Sequence, residues 1–443
     1  MLKDTQNPSW TEERSQMRAV ANNLILHLHP AKVPVSSVRF AYTWGLGGMS
    51  VILGMLLALT GILLMFRYDA SVDRAYTSIQ FLEAEVPFGS LFRAVHHWSA
   101  NLLVITLFLH LMRVFLTAAF KRGRSFNWMI GLFLFILVLS FNFTGYLLPW
   151  DQLSYWAATV ATSLLQYIPW VGTAVSDFFL GGTEVGQATL RNFYALHVAV
   201  LPVILIATLT YHFWRIRKDG GISRPVDDNP ETRAPLKTVT TIPNLIRKEA
   251  AAAVVLVAGV LLWSMWLPAP LVEMANPAFS PNPAKAAWYF LGLQELLLHM
   301  HPTAAISLVA IVLLGFILLP LWDRSTEGFG IYFRSKKGRI SALIGGLLAL
   351  ELIPLLIISD EYWFDLPAML PTWPDVISNG LLPLLLTLAG LALIYFLLRK
   401  GLKASHSEAI LGLGVFVLLS LVVMTFVGIY FRGPNMALIF PFA

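Results

Sequence analysis

The sequence contains 443 residues, of which 57% are hydrophobic and only 13% are charged. This charged share is about half of that in an ordinary soluble protein, which excludes a soluble globular enzyme, a disordered chain and a coiled coil. The chain has no cysteine, so disulfides, cysteine-ligated clusters and thioether-bound haem are excluded as well.

Nine segments are apolar over a length that suits a membrane-spanning helix, which needs about 20 residues. The polar N-terminus predicts no signal peptide, and the mixed stretch at 10–28 predicts an interfacial helix. The predicted fold is therefore an all-α polytopic membrane protein with about nine transmembrane helices. The predicted spans are residues 41–66, 93–118, 126–148, 195–216, 249–268, 303–322, 339–358, 378–398 and 408–430.

Proline and glycine divide the chain between these spans. Pro169 and the Gly181–Gly182 pair break an apolar stretch into pieces too short to cross, which predicts a helical hairpin on the outer surface at 154–182. The predicted domains are an interfacial segment 1–38, a four-helix domain 39–217, a cytoplasmic linker 218–248, a three-helix domain 249–358 and two extra helices in 359–443.

Lysine and arginine are concentrated in alternate loops, which hold 24 of the 31 basic residues. Because cytoplasmic loops are the basic ones, the N-terminus is predicted to be cytoplasmic and the C-terminus outside, in a bacterial cytoplasmic membrane. The net charge of +6 is then a sign of topology, and no nucleic-acid partner is expected.

Four histidines lie inside predicted spans at matched spacing. His96 and His110 are 14 residues apart on the second span, and His197 and His212 are 15 apart on the fourth. On each helix both imidazoles therefore point broadly to one side, about 21 to 22 Å apart along the axis. Hydrogen-bonded core histidines are the alternative, but ionisable groups inside lipid are rare. The spacing favours two non-covalent haem b groups with iron held by histidine pairs.

Glycines and arginines support the same cofactor. One glycine pair on the first span and one on the third are each spaced by 14 residues, which would let a flat ring approach the backbone. Arg93 and Arg113 lie three residues from His96 and His110, where haem propionates would need cations, although ordinary interfacial arginines would look alike. The glycines are Gly47, Gly61, Gly131 and Gly145.

Several sequence runs resemble cytochrome b of the cytochrome bc complexes, the quinol:cytochrome c oxidoreductases. They are RAVHHWSANLLVITLFLHLMRVFLTAAFKRGR, GYLLPWDQLSYWAATV and TLRNFYALHVAVLPVILIATLTYHFWRIRKDGG. The resemblance covers residues from about 10 to 340, and its first half is similar to the photosynthetic branch.

This resemblance implies a cofactor arrangement and partners. It implies His96 with His197 around an outer haem and His110 with His212 around a cytoplasmic-side haem, with a quinone near Arg217. It also implies quinol oxidation at the outer face, electron transfer across the membrane to that quinone, and proton translocation. The implied partners are a Rieske iron–sulfur protein, a c-type cytochrome subunit, quinone, the lipid membrane and a second copy in a homodimeric complex.

The expected quinol-oxidation site departs from the family pattern. Where the family has Pro-Glu-Trp-Tyr, this sequence has Ala286-Ala287-Trp288-Tyr289, so the expected carboxylate is missing. Glu295 lies in an apolar stretch, where a raised pKa would suit a proton acceptor beside Tyr146, Trp288 and Tyr289. The competing carboxylates are Asp151, Glu184 and Glu273.

The missing carboxylate keeps one alternative function open. A di-haem membrane anchor that links the quinone pool to a dehydrogenase or hydrogenase module would need the histidines but only one quinone site. The PWDQ and WYF sequences at the expected outer site favour the quinol oxidoreductase over this anchor.

Overall fold

The computed structural model describes residues 32–225 and 236–440. The protein is built from helices, which confirms the all-α prediction apart from one short antiparallel ribbon, Lys32–Pro34 (β1) with Thr238–Thr240 (β2). This ribbon holds the beginning of the described chain against the end of the polar linker. The interfacial helix predicted within 10–28 lies outside the described residues.

Four long helical segments form the first half of the protein. Trp44 and Gly45 have left-handed φ angles of 54° and 63°, so the first span begins at Leu46 and not at the predicted residue 41. The helices are Phe40–Thr43 (α1), Leu46–Met65 (α2), Ala75–Ala84 (α3), Gly89–Leu116 (α4), Ser125–Leu147 (α5), Gln152–Leu165 (α6), Gly172–Leu180 (α7), Gln187–Ala195 (α8) and Leu201–Lys218 (α9).

Two short helices occupy the predicted surface hairpin. Helix α6 begins with a capping box between Asp151 and Ser154, and α7 ends at Gly181, which has a φ of 63°. The Ser176 hydroxyl donates to the Thr162 carbonyl oxygen at 3.1 Å. These short helices are packed against each other and lack the length needed to span a bilayer.

The second half contains three long helices, of which Lys336–Tyr362 and His406–Tyr430 pack closely together, and several shorter ones. The helix His406–Tyr430 packs against both Lys336–Tyr362 and Leu291–Leu298. The elements are Thr241–Trp266 (α10), a 3-10 turn Trp288–Phe290, Leu291–Leu298 (α11), Pro302–Ile317 (α12), Leu319–Trp322 (α13), Lys336–Tyr362 (α14), Leu366–Met369 (α15), a π-helical turn Val376–Leu381, Leu382–Phe396 (α16), a π-helical turn Leu397–Gly401, His406–Tyr430 (α17) and a 3-10 turn Pro434–Met436.

Seven helical segments of the described residues are long and apolar enough to cross a membrane. They are Leu46–Met65, Gly89–Leu116, Ser125–Leu147, Gln187–Lys218, Lys336–Tyr362, Val376–Gly401 and His406–Tyr430. The other two predicted spans, 249–268 and 303–322, are helical but do not belong to these seven. In the second of them α12 has only 16 residues before the chain continues into α13. The protein is thus a multi-pass membrane protein, and the count of nine stays a prediction.

A buried ion cluster joins the two halves at the end that carries most of the basic residues. The Asp323 carboxylate lies 2.9 Å from Lys121 Nζ and 2.7 Å from Arg334 Nη1, and its side chain has no exposed area. The Ser407 hydroxyl at the start of α17 donates to the same carboxylate at 2.9 Å. The loop between α4 and α5 is thereby fixed to the second half through paired charges, as buried ions require.

Candidate functional site

His96 and His197 face each other between α4 and the segment that precedes α9. Their ring centroids are 6.3 Å apart. His197 Nδ1 lies 3.1 Å from the Phe141 carbonyl oxygen, and His96 Nδ1 lies 3.0 Å from the Thr60 hydroxyl. Because a carbonyl oxygen can only accept, His197 carries its proton on Nδ1, which leaves the Nε2 lone pair available to a metal.

A π-helical turn explains why the histidines of the fourth span are 15 residues apart. The turn covers Leu196–Val200 and includes His197. A π-turn inserts one residue into an α-helix, so the extra residue between His197 and His212 is absorbed by the wider turn. The offset of +60° expected for a regular α-helix is thereby reduced, and both imidazoles are directed to the same side.

His110 and His212 form the second pair, nearer the basic end of the molecule. They lie close enough for their rings to interact electrostatically. His212 Nδ1 is buried and has no hydrogen-bond partner among the described residues. Arg113 Nη2 is also buried without a partner in that part of the chain, and its guanidinium lies 4.8 Å from the centre of the Tyr42 ring. A buried cation with a free donor beside a histidine pair fits an anionic group of a cofactor.

Each of the four predicted glycines faces one of the four predicted histidines. A methyl group on Gly145 would lie 2.6 Å from Cε1 of His197, and one on Gly61 would lie 3.2 Å from Cε1 of His96. The equivalent distances are 3.3 Å from Gly47 to His110 and 3.9 Å from Gly131 to His212. The glycines therefore let the imidazoles lie directly against the backbone of the neighbouring helix.

These residues fit two haem groups held by histidine pairs. The 6.3 Å between the ring centroids of His96 and His197 would leave room for one metal ion bound by both imidazoles. The glycines fix the imidazoles, and the unpaired donor of Arg113 is available to a propionate. His96, His197, His110 and His212 would hold the iron.

The two other predicted cationic residues have different surroundings. Arg93 is buried and already forms an ion pair with Glu83, and its Nη1 donates to the Ala269 carbonyl oxygen at 3.0 Å. The guanidinium of Arg93 therefore also connects α4 to the loop after α10. Arg217 lies in the last turn of α9, at the same end of the molecule as Arg113.

The WYF segment places the predicted quinol-site residues against the first half. Trp288 Nε1 donates to the Asn101 side-chain oxygen at 2.5 Å, and the Phe290 ring lies 6.3 Å from the Phe143 ring. Tyr289 lies near Tyr146, and burial raises the pKa of the Tyr289 phenol. Tyr146, Trp288 and Tyr289 are thus brought together where α4, α5 and the WYF turn meet.

The PWDQ sequence fixes the hairpin to the loop after α10. Gln152 donates to the Phe279 carbonyl oxygen and accepts from the Asn276 amide at 2.6 Å. Asp151 forms a bridge with Met274 and accepts from the Ser154 amide at 2.9 Å. Asp151 is buried in these contacts, which assigns it a structural role at the junction of the two halves.

The expectation of a raised pKa for Glu295 is wrong. Its carboxylate is fully buried, but Arg432 donates to it from Nη2 at 2.7 Å and from Nε at 3.2 Å, and His299 Nε2 lies 3.2 Å away. Burial alone would raise the pKa of Glu295, whereas hydrogen bonds from His299 and Arg432 lower it below its usual value. A carboxylate held ionised by two cationic groups is a poor proton acceptor, so the predicted role of Glu295 loses its physical basis.

A polar cluster at the end of α9 was not predicted. Arg215 Nη2 lies 3.1 Å from an Asp219 carboxylate oxygen, and Arg124 donates to the Asp219 carbonyl oxygen at 2.6 Å. Asp219 Oδ2 and Arg215 Nε are buried without partners among the described residues. The sequence signal was the run RIRKD, which looks like the ordinary basic residues of a cytoplasmic loop.

Asn101 and Thr60 were not predicted, because single polar residues inside a span carry no distinctive spacing.

Comparison with known proteins agrees with this geometry. The family described as cytochrome b/b6/petB matches residues 31–220. Cytochrome b6 of Acaryochloris marina is 38% identical over 217 residues, which are 49% of this chain and 97% of that protein. Cytochrome b6 of Tupiella akineta is 39% identical over the same shares of the two chains.

A solved structure extends the fold comparison to the second half. A chain of a hyperthermophilic respiratory Complex III matches with a TM-score of 0.68, covering 95% of this chain and 98% of that chain, at 23% identity. This match shows that the two chains share one fold over the matched 95% of this chain. On the strength of the cytochrome b6 relatives, which it covers almost completely, this chain belongs to the cytochrome b family of the cytochrome bc complexes, haem-binding membrane proteins of electron transport.

Proposed function

We propose that this chain is the cytochrome b subunit of a quinol:cytochrome c-type oxidoreductase with two b haems. The observation that carries the proposal is the distance of 6.3 Å between the ring centroids of His96 and His197. It is supported by the four glycines, each of which faces one of the four histidines. When bound, the haems supply two one-electron carriers at different depths of the membrane.

The residues of the chain orient these groups and exclude water from them. The Phe141 carbonyl oxygen and the Thr144 hydroxyl fix the ring of His197, and the Thr60 hydroxyl fixes that of His96. Such outer partners hold a ligand's tautomer and orientation. Arg113 supplies a buried cation at the second pair, beside the quinone site expected near Arg217.

Quinol oxidation is proposed where Tyr146 and Tyr289 meet. Trp288, hydrogen-bonded to Asn101, holds the WYF turn against α4 and shapes an apolar wall. The half-buried tyrosine hydroxyls can form hydrogen bonds with a quinol, but phenols are poor bases at neutral pH. Because Asp151 and Glu295 are engaged in structural contacts, the exposed carboxylates Glu273 and Glu184 are left to receive the quinol proton.

The proposed function also requires partner subunits and a defined orientation in the membrane. An electron acceptor for the first quinol electron is required, and because this chain has no cysteine an iron–sulfur partner such as a Rieske protein must be a separate subunit. A c-type cytochrome subunit and a second copy of the complex complete the proposed assembly. The basic loops are proposed to face the cytoplasm of a bacterium.

A quinol assay tests the proposed function. The purified complex should reduce a c-type cytochrome with added quinol, and His96→Ala or His197→Ala should abolish one haem redox transition while His110→Ala or His212→Ala abolishes the other. A complex that exchanges electrons with quinone but reduces no cytochrome, and that copurifies with a dehydrogenase or hydrogenase module, would identify the di-haem anchor instead.

A further inference from the structure

A cavity of about 460 Å³ lies between the end of α16 and the start of α17, at the basic end of the molecule. Its charged lining residues are Arg399, Lys400 and Lys403, and no lining residue is acidic. The π-helical turn Leu397–Gly401 widens the end of α16 at this point. The cavity belongs to the second half of the chain, away from the histidine pairs and the WYF turn.

A further cation lies beside the cavity. Lys337 Nζ at the start of α14 donates to the Lys403 carbonyl oxygen at 3.2 Å, although the two residues are 66 positions apart in the sequence. Two distant segments thus combine their positive charge, and the surface attracts anions more strongly than either segment alone would.

One nearby carboxylate, Glu408, lies close enough to Lys337 to offset part of this positive charge. Glu408 accepts hydrogen bonds from the Ser335 hydroxyl and, at 2.7 Å, from the Ser405 amide, as a helix cap. Asp323 is buried and paired with Lys121 and Arg334. The three cations that line the cavity exceed this single negative charge, so the surface keeps a net positive charge for an external anion.

The wall of the cavity is rigid on one side and apolar on the other. His406 Nε2 donates to the Trp322 carbonyl oxygen at 2.9 Å, so its Nδ1 accepts from the Tyr395 hydroxyl at 2.7 Å. Phe396 and Leu397 are 54% and 56% exposed and lie near the end of the candidate span Val376–Gly401. A phosphate in the cavity would thus be one helical turn from an apolar surface that faces lipid.

We propose that this cavity binds the phosphate group of an anionic phospholipid, whose acyl chains lie along Phe396 and Leu397. Basic pockets between transmembrane helices are suited to such head groups. A free phosphate ion would use the same cations but would gain nothing from the apolar wall. The proposed site is independent of the proposed quinol chemistry.

The test measures lipid retained by the full-length, haem-loaded protein. The protein is incubated with vesicles of phosphatidylglycerol, with vesicles of phosphatidylcholine or with inorganic phosphate alone, and the bound lipid or phosphate is then quantified per chain. Phosphatidylglycerol should be retained, whereas phosphatidylcholine and inorganic phosphate should not. Retention should fall about tenfold or more in the triple variant Arg399→Gln/Lys400→Gln/Lys403→Gln.

Two further variants make the result specific. The matched control Lys32→Gln/Lys237→Gln/Arg247→Gln removes three exposed charges elsewhere and should retain lipid as the unaltered protein does. The double variant Lys400→Gln/Lys403→Gln keeps the hydrogen bond from Arg399 to the Ala404 carbonyl oxygen. It should still retain several-fold less phosphatidylglycerol than the unaltered protein, with unchanged haem spectra.

Each of four outcomes would overturn the proposal. An equal loss in the control variant would mean general charge attraction, and equal retention of phosphatidylcholine would mean that the net negative charge of the lipid head group is not recognised. Binding of inorganic phosphate that is lost in the triple variant, without a loss of lipid, would make this a free-phosphate site. An unchanged retention of phosphatidylglycerol in the double variant would exclude the cavity.

Discussion

Gly145 leaves the least room of the four glycines that face histidines. A methyl group there would lie 2.6 Å from His197 Cε1, and relieving such a clash in a packed core costs about 1–3 kcal/mol. We expect Gly145→Ala to displace His197 and to reduce the content of the haem at the His96/His197 pair. The pyridine haemochrome and a redox titration measure this loss.

The matched control is Gly54→Ala, also in a membrane helix. A methyl group there would meet nothing within 4 Å, and alanine is favoured over glycine inside a helix by about 0.5–1 kcal/mol. Gly54→Ala should therefore keep both haems. If Gly145→Ala also kept both haems, the close approach of His197 to the backbone at Gly145 would not be needed to position this histidine.

The Glu295–Arg432 pair yields a prediction that distinguishes a structural from a proton-accepting carboxylate. Removing one partner of a buried ion pair costs about 3–5 kcal/mol, because the other charge is left uncompensated. We expect Glu295→Gln and Arg432→Gln to impair stability and quinol oxidation alike. The double variant Glu295→Gln/Arg432→Gln should recover part of both, as thermal unfolding and turnover assays would record.

These three variants would behave differently if Glu295 were a proton acceptor. If Glu295 accepts the quinol proton, every variant without its carboxylate should be equally slow, and the double variant should recover stability but not turnover. That outcome would restore the role predicted from the sequence.

His299 makes the stability of this cluster depend on pH. Its Nδ1 lies 2.6 Å from the Asp360 carboxylate. Burial opposes its charge, but hydrogen bonds to Asp360 and Glu295 raise the pKa of His299 from 6.5 to about 9. A raised folded-state pKa contributes stability that is fully present below pH 6.5 and is lost as the pH rises through about 9.

We therefore expect the melting temperature to fall between neutral pH and pH 9 by more in the unaltered protein than in His299→Gln. The variant lacks the titrating group, so its profile is the control for all other ionisations. Parallel profiles of the two proteins would contradict a charged His299.

At the scale of helices, the π-turn and the hairpin decide where the predicted residues lie. The turn Leu196–Val200 aligns the two histidines of the fourth span, and the PWDQ contacts fix the hairpin to the loop after α10. Both features concern residues that the sequence already indicated. The π-turn changes the direction of a histidine side chain, and the PWDQ contacts decide which loop lies next to the hairpin.

Chemical labelling tests the placement of the hairpin on the outer surface. Ser163 and Thr173 are exposed on α6 and α7, so Ser163→Cys and Thr173→Cys should react with a membrane-impermeant thiol reagent from the same side. The chain has no native cysteine, which makes the labelling specific. Reaction from opposite sides would mean that this segment crosses the membrane.

At the scale of the whole molecule, the cofactor content follows from side-chain chemistry. Four histidines placed in two pairs and the absence of cysteine predict two haems per chain, neither of them covalently attached. Acid–acetone extraction should remove all haem from the polypeptide, as measured by pyridine haemochrome in extract and pellet. Haem that stays with the polypeptide, or a ratio of one haem per chain, would contradict the assignment.

The sequence by itself determined the membrane class, the helical fold and the four histidines. These depend on composition and on regular spacing along single helices, because a bilayer requires apolar segments of fixed length and because residues 14 apart share a helix face. The same spacing predicted one glycine beside each haem, but it did not predict that each glycine would lie against a histidine ring.

Only the tertiary structure decided the environment of Glu295. Its partner Arg432 is 137 residues away in the sequence, and no local pattern connects a carboxylate in a short helix with an arginine after the last one. An apolar neighbourhood in the sequence predicted a raised pKa, whereas the folded chain supplies two cationic donors that lower it. The ionisation of a buried group depends on which charges the fold brings within a few ångströms, and the sequence does not contain that distance.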